Sequence, residues 1–366
     1  MKVLCNREQL REGLSIVSSV IPSKSTRPAI ENVCIVATEN ALELVGTDLE
    51  VAIRFRIDDV KVAETGTLLI SARVANDFVR DLTEDTVTLD STGDNCVITS
   101  GGDRAELVTV DSDEFPVVAR FQEENSYPIL AETFSKQVSR TAFAAAREPG
   151  RYAMHGVLIE VEESQLRLVA TDGRRLAVTT TLLDCPEGTT ERSIVPTKGL
   201  QPFTRILTDP MARVRISFDE TQFSLKTDQA EIFARLIDGE FPKYSQVVPP
   251  EGKCKIEIDA GLLISKLRLV STVTSVDARA VRLSFAEDHL EIIAKAAGRG
   301  EATAQMDANY QGDEVDIVFN PDFLIDGLKQ CETDTVHFEF TDRTSPGKFQ
   351  LGQGYIYVVM PITIDA

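Results

Sequence analysis

A chain of 366 residues with 43% hydrophobic and 26% charged residues has the composition of a folded protein of two or three domains, and excludes an extended disordered chain. Its 58 Asp and Glu against 38 Lys and Arg give a formal charge of −20, which excludes a protein that coats nucleic acid by bulk attraction, so any DNA contact must be confined to a local face. The scattered Cys5, Cys34, Cys96, Cys185, Cys254 and Cys331 form no C-x-x-C pair and read as reduced thiols, and the lack of a long apolar run points to a cytosolic protein with no membrane span.

Leu10, Leu14 and Val17 recur at three- and four-residue spacing, which predicts a helix over 6–20. Residues 31–48, ENVCIVATENALELVGTD, alternate, bend through polar residues and alternate again, as a β-hairpin with one buried face does. A strand through Leu69 and Ile70 then leads to a helix over 71–82 with Ser71 as its N-cap, and the segment closes on Asp113-Glu114-Phe115-Pro116.

The same order returns twice. A helix over 130–146 precedes a hairpin at 155–172, and Ile194-Val195 leads through Pro196 into a helix over 196–209, closing on Gly239-Glu240-Phe241-Pro242. A helix over 259–272, a hairpin at 279–296 and a helix over 320–332 begun by Asn320 and Pro321 follow, ending at Met360-Pro361. Val33, Val157 and Val281 are each 124 residues apart, and Leu42, Leu166 and Leu290 keep that spacing. With polar or Pro-rich joints near 122–128 and 249–253, the chain is expected to be α+β and built of three domains, 1–124, 125–249 and 250–366. The period is too long for a solenoid unit, so each copy should own a core.

With the second copy's first helix taken over 130–151, the six expected helical stretches sum to +2 while the remainder carries −22. Mixed charge on exposed helix faces accounts for this; so does one shared helical surface on which Lys136, Arg140, Arg147, Arg151, Lys198, Arg205, Lys266 and Arg268 meet a polyanion without reading bases. The repeats diverge after the hairpin: Thr171-Asp172-Gly173-Arg174-Arg175-Leu176 in the second copy, Thr47-Asp48-Leu49-Glu50 in the first, Lys295-Ala296 in the third. Only the second copy is therefore expected to make this surface, and Asp172-Gly173 taken alone reads as a turn.

Gly46-Thr47-Asp48, Asp113-Glu114-Phe115-Pro116, Ala170-Thr171-Asp172-Gly173-Arg174-Arg175-Leu176-Ala177, Leu236-Ile237-Asp238-Gly239-Glu240-Phe241-Pro242-Lys243-Tyr244 and Tyr357-Val358-Val359-Met360-Pro361, in this order in a three-copy chain, resemble the bacterial DNA polymerase III beta subunit family, the DNA sliding clamps. The resemblance implies the DNA clamp fold, with helix-lined β-sheet domains and a head-to-tail homodimer closed into a six-domain ring around duplex DNA. It further implies a processivity factor for the replicative polymerase, opened by a clamp loader, with no catalytic site, cofactor or metal and with a replisome and nucleoid location.

By the same resemblance, Met154, Thr171, Gly173, Arg174, Arg175, Leu176, Pro242, Val247, Ser345, Val359, Met360, Pro361 and Ile362 form the pocket for a short linear motif shared by polymerases, loader and repair proteins. The chemistry fits: Leu176, Val247, Val359, Met360 and Ile362 can bury a partner's apolar anchors, and Gly173 lets a backbone come close. The family's DNA contacts fall on Lys24, Arg73, Tyr152 and Lys198, with Arg27, Arg147, Arg151 and Arg205 added from charge alone. Its ring-closing contact falls on Leu107, Thr272 and Val273.

An enzyme is the first competing reading; His155, His289 and His337 stand in strand-like segments with no nucleophile elbow, P-loop or zincin motif around them. The clustered acids of Glu160-Val161-Glu162-Glu163 sit at a hairpin bend, where they keep an outer face soluble. A protein-interaction scaffold without a DNA role is the second, and it leaves the collection of basic residues on helices without a reason.

Overall fold

In the computed structural model, residues 1–147, 152–207, 209–275 and 279–363 are described, except for the side chains of Thr92 and Tyr152. Six α-helices occur among them: α1 (Arg7–Ser18), α2 (Ala72–Asp81), α3 (Ala131–Thr141), α4 (Thr197–Ile206), α5 (Ala260–Ser271) and α6 (Pro321–Leu328). Side-chain caps start four of them. Asn6 accepts from the Gln9 N–H, Ser71 from Val74, Asp259 from Leu262 and Asn320 from Asp322, each satisfying one of the donors that a helix start leaves free.

The helix expected over 130–146 ends five residues early. Thr141 leaves helical geometry at φ −120°, a single 3-10 turn follows over Ala142–Ala144, and the Ala146 N–H donates to the Met154 carbonyl at 2.8 Å instead of continuing a helical ladder. A short strand also precedes the first helix of every copy, at Lys2–Asn6, Ser126–Leu130 and Cys254–Asp259, which helix periodicity alone did not suggest.

The three hairpins share one register. Leu42 lies opposite Ala37, Leu166 opposite Val161 and Leu290 opposite Phe285, again 124 residues apart, and all three leucines are fully buried. A one-residue slip in any copy would turn its apolar set to solvent, so burial of one face fixes the pairing.

The chain divides into two compact units, residues 1–135 with 195–236 and residues 136–194 with 237–366. Each unit contains a sheet that joins neighbouring repeats edge to edge. In the first unit, an eight-stranded sheet runs from Ser126–Leu130 through 213–218, 222–226 and 230–235 to 51–57, 42–47, 32–37 and 66–71. Its central junction sets Val51 opposite Ala234 and Ala52 opposite Phe233. In the second unit, a nine-stranded sheet joins Arg175–Leu182 to Tyr355–Val359, with Arg175 opposite Val359 and Leu176 opposite Val358. The two junctions are equivalent to within one residue of the repeat. Smaller sheets of five and four strands complete the two units.

In the first unit α1 packs on strands 42–47 and 51–57 and against α2 and α4. Close approach is possible because residue 13 lacks a side chain: a Cβ on Gly13 would stand 2.6 Å from the Phe55 ring. Phe134, Phe203 and Phe223 fill the core beneath α4 with ring centroids 5.8–6.2 Å apart. The segment after the first repeat is fastened by a buried carboxylate: Glu43, 3% exposed, accepts from Arg54 at 2.9 Å and from Arg120 at 3.1 Å, while Arg54 also donates to the Val118 carbonyl at 3.0 Å. Burial opposes the charge on Glu43, but the Arg120 and Arg54 guanidiniums outweigh it and hold the carboxyl below its ordinary range. In the second unit Phe338 stacks on Phe349 at 4.2 Å within a core that includes Phe285, Phe319 and Phe340. All six cysteines are free thiols.

Candidate functional site

The second unit carries a cavity of about 220 Å³ built around the turn between strands Gln165–Thr171 and Arg175–Leu182. The turn is made by side chains. Thr171 donates its hydroxyl to the Arg175 carbonyl at 2.6 Å and accepts the Gly173 N–H at 3.0 Å, while one Asp172 oxygen accepts the Arg174 and Arg175 N–H groups at 2.9 and 3.0 Å. Gly173 has φ +85°, so the turn expected from Asp-Gly forms, and its missing side chain leaves one wall of the cavity as bare backbone.

Behind the turn lies a buried cation. Arg175 is 8% exposed and donates to Asp172 at 3.0 Å, to Asp326 of α6 at 2.8 Å and to the Phe143 carbonyl at 2.9 Å, with its guanidinium 4.6 Å from the Phe323 ring centre. Burial works against its charge, yet Tyr357, Asp326 and Asp172 more than restore it. Arg175 thus ties the turn of the second repeat to α6 of the third, within one unit.

Of the residues expected in the pocket, Met154, Thr171, Gly173, Arg175, Leu176, Pro242, Val247 and Met360 line the cavity together. Arg174 is exposed outside the wall, and its carbonyl accepts the Met360 N–H at 2.8 Å. Val359 does not line it: strand alternation puts Val358 on the cavity side and buries Val359 completely on the other. Ser345 is absent from the wall because its hydroxyl closes a turn, accepting the Thr341 and Asp342 N–H groups and donating to the Asp342 carbonyl. Pro361 and Ile362 follow outside the wall, Ile362 fastened through its N–H to the Val318 carbonyl at 2.7 Å. The residues Ile364, Asp365 and Ala366 of the tail lie outside the described residues.

Tyr244 and Val358 also line the cavity and were missed. Tyr244 donates to Glu160 at 2.7 Å and accepts from Arg167 at 3.2 Å, and burial followed by the Glu160 contact pushes its phenol up. The Phe-Pro-Lys-Tyr sequence around it was the available signal. Below the cavity Leu158, Val169, Leu176, Val178, Ile194, Phe241 and Val358 form one apolar cluster, so the floor is a packed apolar layer.

The basic residues separate into two groups. Lys24, Arg27, Arg73, Arg147 and Arg205 are exposed and, among the described residues, carry no ion pair. Lys198, by contrast, is held by Asp48 and by Glu50, 3.3 Å away, and Lys136 is paired with Glu332. Arg140, expected on a polyanion-facing surface, is 4% exposed, paired with Glu332 and stacked 5.1 Å over the Tyr355 ring, so it belongs to the core of the second unit. Tyr152 opens a 3-10 turn, and Arg151 lies outside the described residues.

Leu107 lies half-buried in strand Asp103–Val108, the outer edge of the five-stranded sheet, beside the 74% exposed Val108. Thr272 caps the C-terminus of α5, Val273 follows it, and Leu269 of the same helix is 58% exposed. Strand Gly300–Asp307 forms an outer edge of the four-stranded sheet. Among the described residues neither edge has a further strand to pair its outward backbone donors and acceptors. Among the described residues no helix is long and apolar enough to cross a membrane, and no group of three or more His, Cys, Asp or Glu side chains is arranged to hold a metal ion.

Three repeats joined by continuous sheets, with an apolar cavity beside a bare-backbone turn, define a triplicated α+β protein. Family models describe its parts in order: DNA polymerase III beta subunit, N-terminal domain, at residues 1–119, central domain at 129–243 and C-terminal domain at 245–362. The beta sliding clamp of Haemophilus influenzae is 31% identical over 369 residues and that of Salmonella typhimurium 30% over 367, each covering 100% of both chains. The crystal structure of the DNA polymerase III subunit beta from Pseudomonas aeruginosa matches with TM-score 0.96 at 29% identity, and the DNA polymerase sliding clamp from Bacillus subtilis with 0.96 at 25%, both over 100% of each chain. The chain belongs to the DNA polymerase III beta subunit family, the beta sliding clamps. It is accordingly a processivity factor of DNA replication.

Proposed function

We propose that two copies of this chain close head to tail into a ring of six domains, the domains being residues 1–124, 125–249 and 250–366 of each copy, and that duplex DNA passes through the ring. The open edge strand Asp103–Val108 with Leu107, and the Thr272-Val273 end of α5 near a second open edge strand, supply complementary places for a heterologous contact. The ring has no catalytic site of its own. Lys24, Arg27, Arg73, Arg147 and Arg205 offer phosphate contacts that are not already neutralised, which suits sequence-independent sliding on a chain of net charge −20. Lys198 serves this less directly, because two carboxylates hold it.

The cavity around Gly173 takes a short linear motif from the replicative polymerase catalytic subunit, and in turn from the clamp loader, other polymerases and repair proteins in the nucleoid. The observation that carries this reading is the apolar wall of Met154, Leu176, Val247, Val358 and Met360 beside the Gly173 backbone. Met side chains adapt to different anchors, which fits a site with several partners. A scaffold without a DNA role would share the pocket and lack the DNA retention.

The test is retention on a nicked circular plasmid in high salt after treatment with loader and ATP, compared with the same complex after one restriction cut. Salt strips electrostatic binders and leaves a topological link intact. Retention on circles with loss from cut DNA is expected; equal retention on both refutes the ring.

A further inference from the structure

The first repeat was expected to lack the surface built by Thr171-Asp172-Gly173, and it does not. Thr47 donates to the Val51 carbonyl at 2.8 Å and accepts the Leu49 N–H at 2.9 Å, and Asp48 accepts the Glu50 and Val51 N–H groups at 3.0 and 2.8 Å. These are the bonds of the second-repeat turn, residue for residue. The equivalence continues across the junction. Arg235 donates its N–H to the Glu50 carbonyl at 2.8 Å, as Met360 does to Arg174 at 2.8 Å, and Val51 opposes Ala234 as Arg175 opposes Val359. Pro116, Val117 and Val118 stand beside this turn as Pro242 and Tyr244 stand beside the other. The third repeat ends its hairpin in Lys295-Ala296 and has no such turn.

The result is a groove of about 320 Å³ in the first unit, floored by Val51, Ala52 and Phe233. Two features set it apart from a structural leftover. Leu49 occupies the position of Gly173 at φ +77°, a conformation that is strained for a branched side chain, and is 45% exposed at the mouth beside the fully exposed Val117. Arg235 takes the place of Met360; it is exposed and, among the described residues, its side chain has no ion-pair or hydrogen-bond partner. Glu50, the acid of the groove, is already engaged by Lys198 at 3.3 Å.

We propose that this first-junction groove is a second peptide-docking site, and that its occupant is an extended partner segment carrying an apolar anchor next to an acidic residue. The inference rests on reading the second-junction cavity as a peptide site. The anchor lies on Val51, Ala52 and Phe233 under Leu49, and the acid meets Arg235, whose charge is, among the described residues, the uncommitted one of the lining. Leu49 denies the close backbone approach that Gly173 allows, so binding here is the weaker of the two.

The experiment titrates the full chain by calorimetry with the acetylated pentapeptide Gly-Asp-Leu-Leu-Phe amide. Two classes of site are expected, the tighter removed by Met360→Ala and the weaker persisting in that variant. Arg235→Glu in the Met360→Ala background should weaken the remaining class by about tenfold or more, Arg235→Lys should preserve it, and Leu49→Ala should weaken it with the melting temperature held. A single class that vanishes with Met360→Ala overturns the proposal and leaves the second-junction site standing. Residual binding indifferent to Arg235→Glu overturns it as well. An altered oligomeric state of Arg235→Glu in sedimentation, with peptide binding unchanged, would make the groove a contact between copies and also overturn it. Plasmid retention reads the ring independently of all three.

Discussion

Replacing Arg175 by Ala removes the fastening between the pocket turn and α6, and the structure sets the size of the loss. Breaking a buried ion pair by deleting one partner costs about 3–5 kcal/mol when the survivor is left uncompensated. Here the survivors fare better: Asp172 keeps the Arg174 and Arg175 N–H groups, and the Asp326 side chain is 38% exposed and reaches water. The Phe143 carbonyl and the buried Tyr357 hydroxyl lose this donor, but Tyr357 keeps its bond to the Phe323 carbonyl, so the loss should fall at the lower end, about 3 kcal/mol. In a unit of this size that is a fall of roughly 6–12 °C in melting temperature. The turn carries Thr171 and Gly173 into the pocket wall, so motif-peptide affinity should also drop about tenfold, or about 1.4 kcal/mol. Arg175→Met separates packing from the polar fastening: stacked on Phe323 it should recover most of the stability and little of the affinity. Calorimetric melting and peptide titration check both. An Arg175→Ala chain with unchanged melting and unchanged affinity would refute the fastening.

Three further outcomes follow from the packing. Because the Glu43 carboxyl titrates below its ordinary value of 4.5 when folded, its contribution is fully present above that value and is lost as pH falls through it and below; melting against pH should decline more shallowly in Glu43→Gln, which starts lower at pH 7. Burial pushes the Cys5 thiol up to about 12 and those of Cys34 and Cys96 to about 11, so mass spectrometry after a thiol reagent at pH 8 should show these three unlabelled in the native chain and labelled in urea. Gly13→Ala places a Cβ 2.6 Å from Phe55 under α1, and denaturant unfolding should show a loss of about 1–3 kcal/mol.

The residues themselves determined the repeat, the three hairpins, their common register and the helix starts at Ser71 and Asn320, because these depend on neighbours within a few positions and on one apolar face. The Asp172-Gly173 turn was legible for the same reason, and so was most of the pocket wall through the resemblance it supported. Local pattern failed where the partner is remote. Nothing in the spacing of Arg140 announces Glu332 and Tyr355, and Lys198 meets Asp48 and Glu50 only because strand 230–235 pairs with strand 51–57. Val359 was assigned to the pocket and Val358 left out because the phase of a strand at a junction is set by the strand it meets, here Arg175–Leu182. The first-repeat turn escaped notice because the copies diverge there, Leu49 standing where the second copy has Gly173, whereas Thr47 and Asp48 supply the hydrogen bonds and hold Leu49 at positive φ. Sequence thus determined what each repeat is; the tertiary structure decided which residues meet where repeats join, since those contacts span about half the chain and leave no local period.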